Sequence, residues 1–232
     1  MSITMPKLPK DLSTNNKTQL INEIQQTIDS YMNRLAKQNN VYITCILDRS
    51  GSMASTIKDA IGGFNTFLKE QQELTVDNNA MMSIHMFDND YITHVKDTSV
   101  RDISPLTDKI YSPRGSTALN DAIGETLTEL LKVDNKNNII VILTDGEENS
   151  SKNFNTDQVK SLITKCEEKD WKFVYLAANQ DAFSVAKSYG IYKGFISNYV
   201  ANSEGIKSVY LTATNSVSEY RAQVDSNTYK II

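Results

Sequence analysis

The run Tyr42-Ile43-Thr44-Cys45-Ile46-Leu47 passes without a break into Asp48-Arg49-Ser50-Gly51-Ser52. Apolar and β-branched residues without polar alternation read as a strand buried on both faces. Such strands belong to parallel sheets covered by helices on both sides. The polar residues that follow then stand at the carboxyl end of a strand, the edge where open α/β sheets bind ligands. A second run of the same character, Asn138-Ile139-Ile140-Val141-Ile142-Leu143, ends in Thr144-Asp145-Gly146. It places another polar cluster on that edge.

The pattern extends outward from these two strands. A helix is expected from about Ser55 to Glu73, with Ile57, Ile61, Phe64, Phe67 and Leu68 on one side. Residues 81–89 and 91–100 read as two strands joined by a tight turn at Asp88-Asn89-Asp90, a hairpin. Residues 111–133 pass from a loop into a helix. Helices follow at 156–169, 181–190 and 203–223, the last with Ser203 as its cap, and strands at 171–179 and 193–200. The alternation predicts an α/β fold: a doubly wound, mostly parallel six-stranded sheet with one antiparallel edge strand and helices on both faces.

Residues 17–37 carry Leu20, Ile21, Ile24, Ile28, Met32 and Leu35 at helical spacing, with Thr14 as a candidate cap. This amphipathic helix is a packing extension or a partner-binding helix. A boundary at Gln38-Asn39-Asn40 separates this extension, residues 1–39, from a domain over 40–232. A hydrophobic share of 40% permits a sizeable core for that domain. A net charge of −4 implies no broad basic field, so nucleic acid is not an expected partner. No run of apolar residues is long enough for a transmembrane helix, and the N-terminus lacks the apolar region of a secretory signal. Cys45 and Cys166 sit in apolar runs without C-x-x-C spacing, so they read as buried thiols rather than a redox pair. A reducing, cytoplasmic setting is the expectation.

Asp48, Ser50 and Ser52 alternate, and in an extended or turning backbone this spacing sends three side chains to one side. Gly51 permits the turn that follows. One carboxylate and two hydroxyls are hard donors, suited to Mg²⁺, Mn²⁺ or Ca²⁺ and not to Zn²⁺ or Cu²⁺. Arg114-Gly115-Ser116-Thr117 brings a further hydroxyl, and Asp145 a second carboxylate. Each piece alone is ordinary. Asp48, Ser50 and Ser52 make a polar turn, Thr117 a helix cap, and Asp145-Gly146 a turn. Their convergence on one sheet edge favours a cation with an open coordination position.

The runs ILDRSGSM (46–53), RGSTALNDAI (114–123) and VILTDGEENSS (141–151) resemble the von Willebrand factor A domain family. They match its metal-ion-dependent adhesion site, with nearer likeness to short stand-alone members from bacteria and their viruses. The resemblance implies a Rossmann-like fold with one Mg²⁺, or Mn²⁺, on Asp48, Ser50, Ser52, Thr117 and Asp145. It also implies that ligand roles change between direct and water-mediated coordination as the domain opens. By the same resemblance, the terminal helix, here the one ending near Arg221, is expected to move with that change. Arg49 departs from the small or apolar residue usual at its position, and reaches a partner's acid or faces solvent. Glu147 and Glu148 read as a solvated loop.

The function expected is a cation-dependent module that grips an exposed Asp or Glu of a partner protein. The alternatives are a metal-dependent phosphohydrolase and a scaffold with a structural metal. No enzyme is expected. Aspartyl phosphoryl transfer wants an Asp where Ser50 stands. G-x-S-x-G, the P-loop and G-x-G-x-x-G are all absent from the sequence. His85 and His94 lie on the hairpin strands, away from the polar edge. Trp171, Phe173 and Tyr175 read as core. Tyr189, Tyr192 and Tyr199 form a candidate surface patch.

Overall fold

The computed structural model describes residues 14–74, 76, 79–133, 135–145, 147–178, 182–192 and 194–229, with the side chains of 14–17, 31–39 and 227–229 outside the description. The chain separates into two compact units at Gln38 and Asn39. The first holds α1 (Thr14–Asn39). The side chain of Thr14, the candidate cap, lies outside the described residues. Pairs four residues apart, Gln19 with Glu23 and Gln25 with Asp29, hydrogen-bond along its surface. Ile21 and Ile28 are exposed.

The second unit holds β1 (Val41–Asp48), α2 (Ile57–Glu73), β2 (Ala80–Phe87), β3 (Tyr91–Ser99), α3 (Leu119–Leu130) and β4 (Asn137–Thr144). It continues through α4 (Thr156–Glu168), β5 (Lys172–Ala178), α5 (Ala182–Ser188), β6 (Phe195–Tyr199) and α6 (Ser203–Tyr229). The strands form one sheet in the order β3-β2-β1-β4-β5-β6. All neighbours are parallel except β2 and β3. Alternation along β1 divides two cores. Ile43, Cys45 and Leu47 face Phe64 and Phe67 of α2 and Val209 and Val217 of α6. Ile46 faces Leu127 of α3 and Ile163 of α4, beside Ile142. This is the doubly wound sheet expected, with helices on both faces.

Register decides where the polar residues stand. Leu47 pairs with Met86 on one side and Leu143 on the other, and Asp48 pairs with Phe87. The carboxyl ends of β1, β2 and β4 are therefore level, and the loops after them share one rim.

Several local expectations need correction. The helix after β1 does not begin at Ser55. A 3₁₀ turn occupies Gly51–Ser55, closed by Met53 N–H to Ser50 O (3.1 Å), and α2 starts only at Ile57. The tighter turn lets the chain wrap the rim before the helix takes over. Ser203 does not cap α6. Asn202 Oδ1 accepts from Gly205 N (2.8 Å), while the Ser203 hydroxyl donates to Asp59 Oδ1 (2.7 Å). Trp171, Phe173 and Tyr175 are buried as expected, but so are Tyr189 and Tyr199. Only Tyr192 of the second trio is exposed, so no tyrosine patch forms. Cys45 and Cys166 are buried free thiols, each pushed up to about 12 by burial. Among the described residues no helix is long and apolar enough to cross a membrane.

Candidate metal centre

Asp48 is fully buried at the tip of β1. Its Oδ1 accepts from Ser50 N (2.7 Å), and its Oδ2 accepts from the hydroxyl of Thr144 at the end of β4 (2.6 Å). The Ser50 and Ser52 hydroxyls are 3.0 Å apart, and Ser52 Oγ donates to Asp145 Oδ1 (2.6 Å). Four of the five expected residues thus form one connected polar chain across two loops. Two buried tyrosines hold the main chain beneath it. Tyr111 donates to the carbonyl of Asp48, and Tyr199 to that of Thr144 (3.2 Å).

Thr117 reaches the same rim through its backbone. Its N–H donates to Asn149 Oδ1 (2.9 Å), and Asn149 N–H returns to its carbonyl (3.0 Å). Among the described residues its hydroxyl makes no hydrogen bond to the other four. The loop that carries it is tied to the first loop by Gly51 N–H to Gly115 O (3.1 Å) and Arg114 N–H to Arg49 O (2.9 Å). A Cβ on Gly51 would lie 3.2 Å from that same carbonyl oxygen. Glycine is favoured at 51 by this close approach rather than by a left-handed backbone.

Arg49 neither faces solvent nor reaches outward. It turns inward, and its Nη2 lies 3.0 Å from Asp88 Oδ2. Arg114 Nε reaches the same oxygen at 2.8 Å, and its Nη2 reaches Asp90 (2.8 Å). Asp88 O also accepts from Ala118 N (3.0 Å), and Asn89 Oδ1 accepts from Ser116 N (2.8 Å). The Asp88-Asn89-Asp90 turn is therefore more than a hairpin connection. It fixes the loops that carry Ser50 and Thr117. A signal for this was present in the sequence, because three polar residues follow a buried strand on the shared edge.

Glu148 is also not a solvated residue. Its carboxylate accepts from Asn120 N (2.7 Å), Ser150 N (3.0 Å), Ser151 N (2.8 Å) and the Ser151 hydroxyl (2.7 Å). It closes the start of α3, where backbone donors lack helical partners. Asp121 answers by accepting from Lys152 N, Asn153 N and Phe154 N, each at 2.8 Å. These bonds hold the loop that carries Asn149. Glu147 is exposed, as read.

Burial raises the Asp48 carboxyl above its ordinary range, and donors from Thr144 and Ser50 pull it partly back. Burial likewise raises Asp145, offset by the Ser52 hydroxyl. No Lys or Arg forms an ion pair with either acid among the described residues. A fully buried and a half-buried carboxylate joined through hydroxyls, without a counter-charge among the described residues, are the chemistry a hard divalent cation would complete.

The sequence profile of the von Willebrand factor type A domain matches residues 43–188. This chain belongs to the von Willebrand factor type A domain family. No curated protein matches it. Among solved structures, it is similar to proximal thread matrix protein 1 from the mussel byssus (13% identity, TM-score 0.56, 77% of this chain and 46% of that one). The same byssus protein with a zinc-occupied MIDAS motif also matches (12% identity, TM-score 0.52, 77% and 48%). So does the PilB minor pilin of Streptococcus sanguinis (11% identity, TM-score 0.54, 77% and 61%). This chain spans about half the length of those proteins. At such identities the likeness is one of fold.

Proposed function

We propose that this chain is a divalent-cation-dependent binding module. Asp48, Ser50, Ser52, Thr117 and Asp145 would hold Mg²⁺, with Mn²⁺ or Ca²⁺ as substitutes, and an acidic side chain of a partner protein would complete the coordination. The ion would supply a positive centre that attracts a carboxylate. The observation that carries this reading is the chain Asp48–Ser50–Ser52–Asp145, one buried and one half-buried acid without a cationic partner among the described residues. The zinc in the byssus protein's motif supports the same position on this fold. The oxygen-only donors of this chain favour a harder ion. Asp48 and Asp145 would balance the charge of the ion without filling its coordination shell, which leaves a position for a partner's carboxylate.

The binding module would occupy residues 40–232, with residues 1–39 as a helical extension and the cytoplasm as its setting. Titration calorimetry of metal-stripped protein with Mg²⁺ tests the reading. One site is expected, and Asp48→Asn should lose it. Equal affinity in that variant would overturn the assignment. At a Mg²⁺ concentration of about 100 Kd, the ion should stabilise the parent by about 2.7 kcal/mol. Asp48→Asn should gain nothing.

A further inference from the structure

We propose that the cleft beside this centre takes the side chain of a lysine or arginine from the same partner, one or two residues from the acid that meets the cation. The proposal rests on the cation-dependent binding above. The cleft has a volume of about 420 Å³ and lies against the first residues of α3 and α4 and one side of α5. Val185 supplies apolar surface in front of the buried Leu119 and Tyr189, Ser184 and Ser188 add hydroxyls, and Glu147 stands at the wall.

Chemistry selects the occupant. Among the described residues no Lys, Arg or His lines the cleft, and two carboxylates do. The Glu148 carboxylate is engaged by backbone and hydroxyl donors of its own loop and of α3. Glu147 is exposed and has no hydrogen bond or ion pair among the described residues, so it is the acid left to receive a charge. Lysine and arginine lay an aliphatic stem on apolar surface and present a cation at the tip. A stem over Val185 and a tip at Glu147 satisfy both halves of the cleft, whereas an anion would be repelled.

Position links the cleft to the metal centre. Leu119 follows Thr117 by two residues, and Glu147 follows Asp145 by two. Two residues of chain span at most about 7 Å. A partner with its acid at the centre therefore carries its next one or two side chains over the cleft. The centre supplies the grip and the cleft the discrimination, as electrostatic complementarity does at other interfaces.

A displayed library of random hexapeptides, selected on the full chain in Mg²⁺ and in EDTA, tests this. Expected is Mg²⁺-dependent enrichment of an Asp or Glu with a Lys or Arg within two positions. Glu147→Lys should replace that base by a second acid, and Glu147→Gln should weaken the best peptide about three- to tenfold. Glu147→Gln should keep Mg²⁺ affinity within about threefold, since its charge lies outside the coordination set. Enrichment of an acid without a neighbouring base would overturn this inference and leave the cation-dependent grip standing. The same would follow from identical enrichment on Glu147→Lys. Enrichment indifferent to EDTA, or none at all, would overturn the grip and the inference together.

Discussion

The Arg49 guanidinium lies 3.0 Å from the Asp88 carboxylate, with side-chain exposures of 9% and 1%. Arg49 Nε and Nη2 lack a hydrogen bond of normal geometry, so the contact is an ion pair and not a directed fork. Its strength comes from mutual neutralisation away from water. Removing one partner of a buried pair leaves an uncompensated charge. Asp88→Asn keeps the shape and removes that charge. We expect a loss of about 3 kcal/mol, read as a lower urea midpoint at unchanged slope. A loss below about 0.5 kcal/mol would show that Arg49 is neutralised elsewhere.

Gly115 adopts φ +63°, and a Cβ there would lie 2.0 Å from Asn89 Oδ1. Gly115→Ala therefore meets both a left-handed backbone penalty of about 1–2 kcal/mol and a clash. It should break the Asn89 to Ser116 bond and displace Thr117. We expect Mg²⁺ affinity to fall at least about tenfold, with a lower Tm. Gly62 provides the contrast. It sits inside α2, and a Cβ there would meet nothing within 4 Å. Gly62→Ala should raise stability by about 0.5–1 kcal/mol without touching Mg²⁺ affinity.

Asn149 holds both backbone groups of Thr117. It touches no expected ligand atom, so its role is positioning. Groups that orient ligands typically cost 10–100-fold in metal affinity when lost. Asn149→Ala should weaken Mg²⁺ about tenfold in calorimetry, and Asn149→Asp, which keeps the acceptor, should recover most of it. Unchanged affinity in the alanine variant would mean that Thr117 is held by other contacts.

His85 is buried beneath Tyr91, with ring centroids 5.3 Å apart, and burial together with the charge of Lys96 lowers it from 6.5 to about 4. Asp97 works in the opposite direction. The unfolded chain takes up a proton near pH 6.5 while the folded one resists until about 4. This contribution is present above pH 6.5 and is lost as pH falls from there toward 4. Its upper size is on the order of 3 kcal/mol. Chemical denaturation at pH 7.5 and 5.0 should show a smaller loss for His85→Gln than for the parent. Equal losses would place the acid sensitivity elsewhere.

The apolar runs at 42–47 and 138–143 were enough to read buried parallel strands, because continuous β-branched sequence fits a strand covered on both faces. The sheet, the hairpin and the polar edge followed from alternation and turn residues. The oxygen donors Asp48, Ser50 and Ser52 were legible because they are local, two residues apart on one loop. What sequence could not show was which groups answer which across loops. Arg49 read as an outward side chain until the hairpin turn placed Asp88 beside it. Glu148 read as solvated until the start of α3 presented its unpaired N–H groups. Asn149 carries no local signal, and its role arises only where it meets the backbone of Thr117. Periodicity and residue type are properties of short segments, so sequence alone determined the strands, the helices and the donor chemistry of the edge. Partnerships across 30 to 100 residues depend on strand order and register, and those were decided only when the two cores packed.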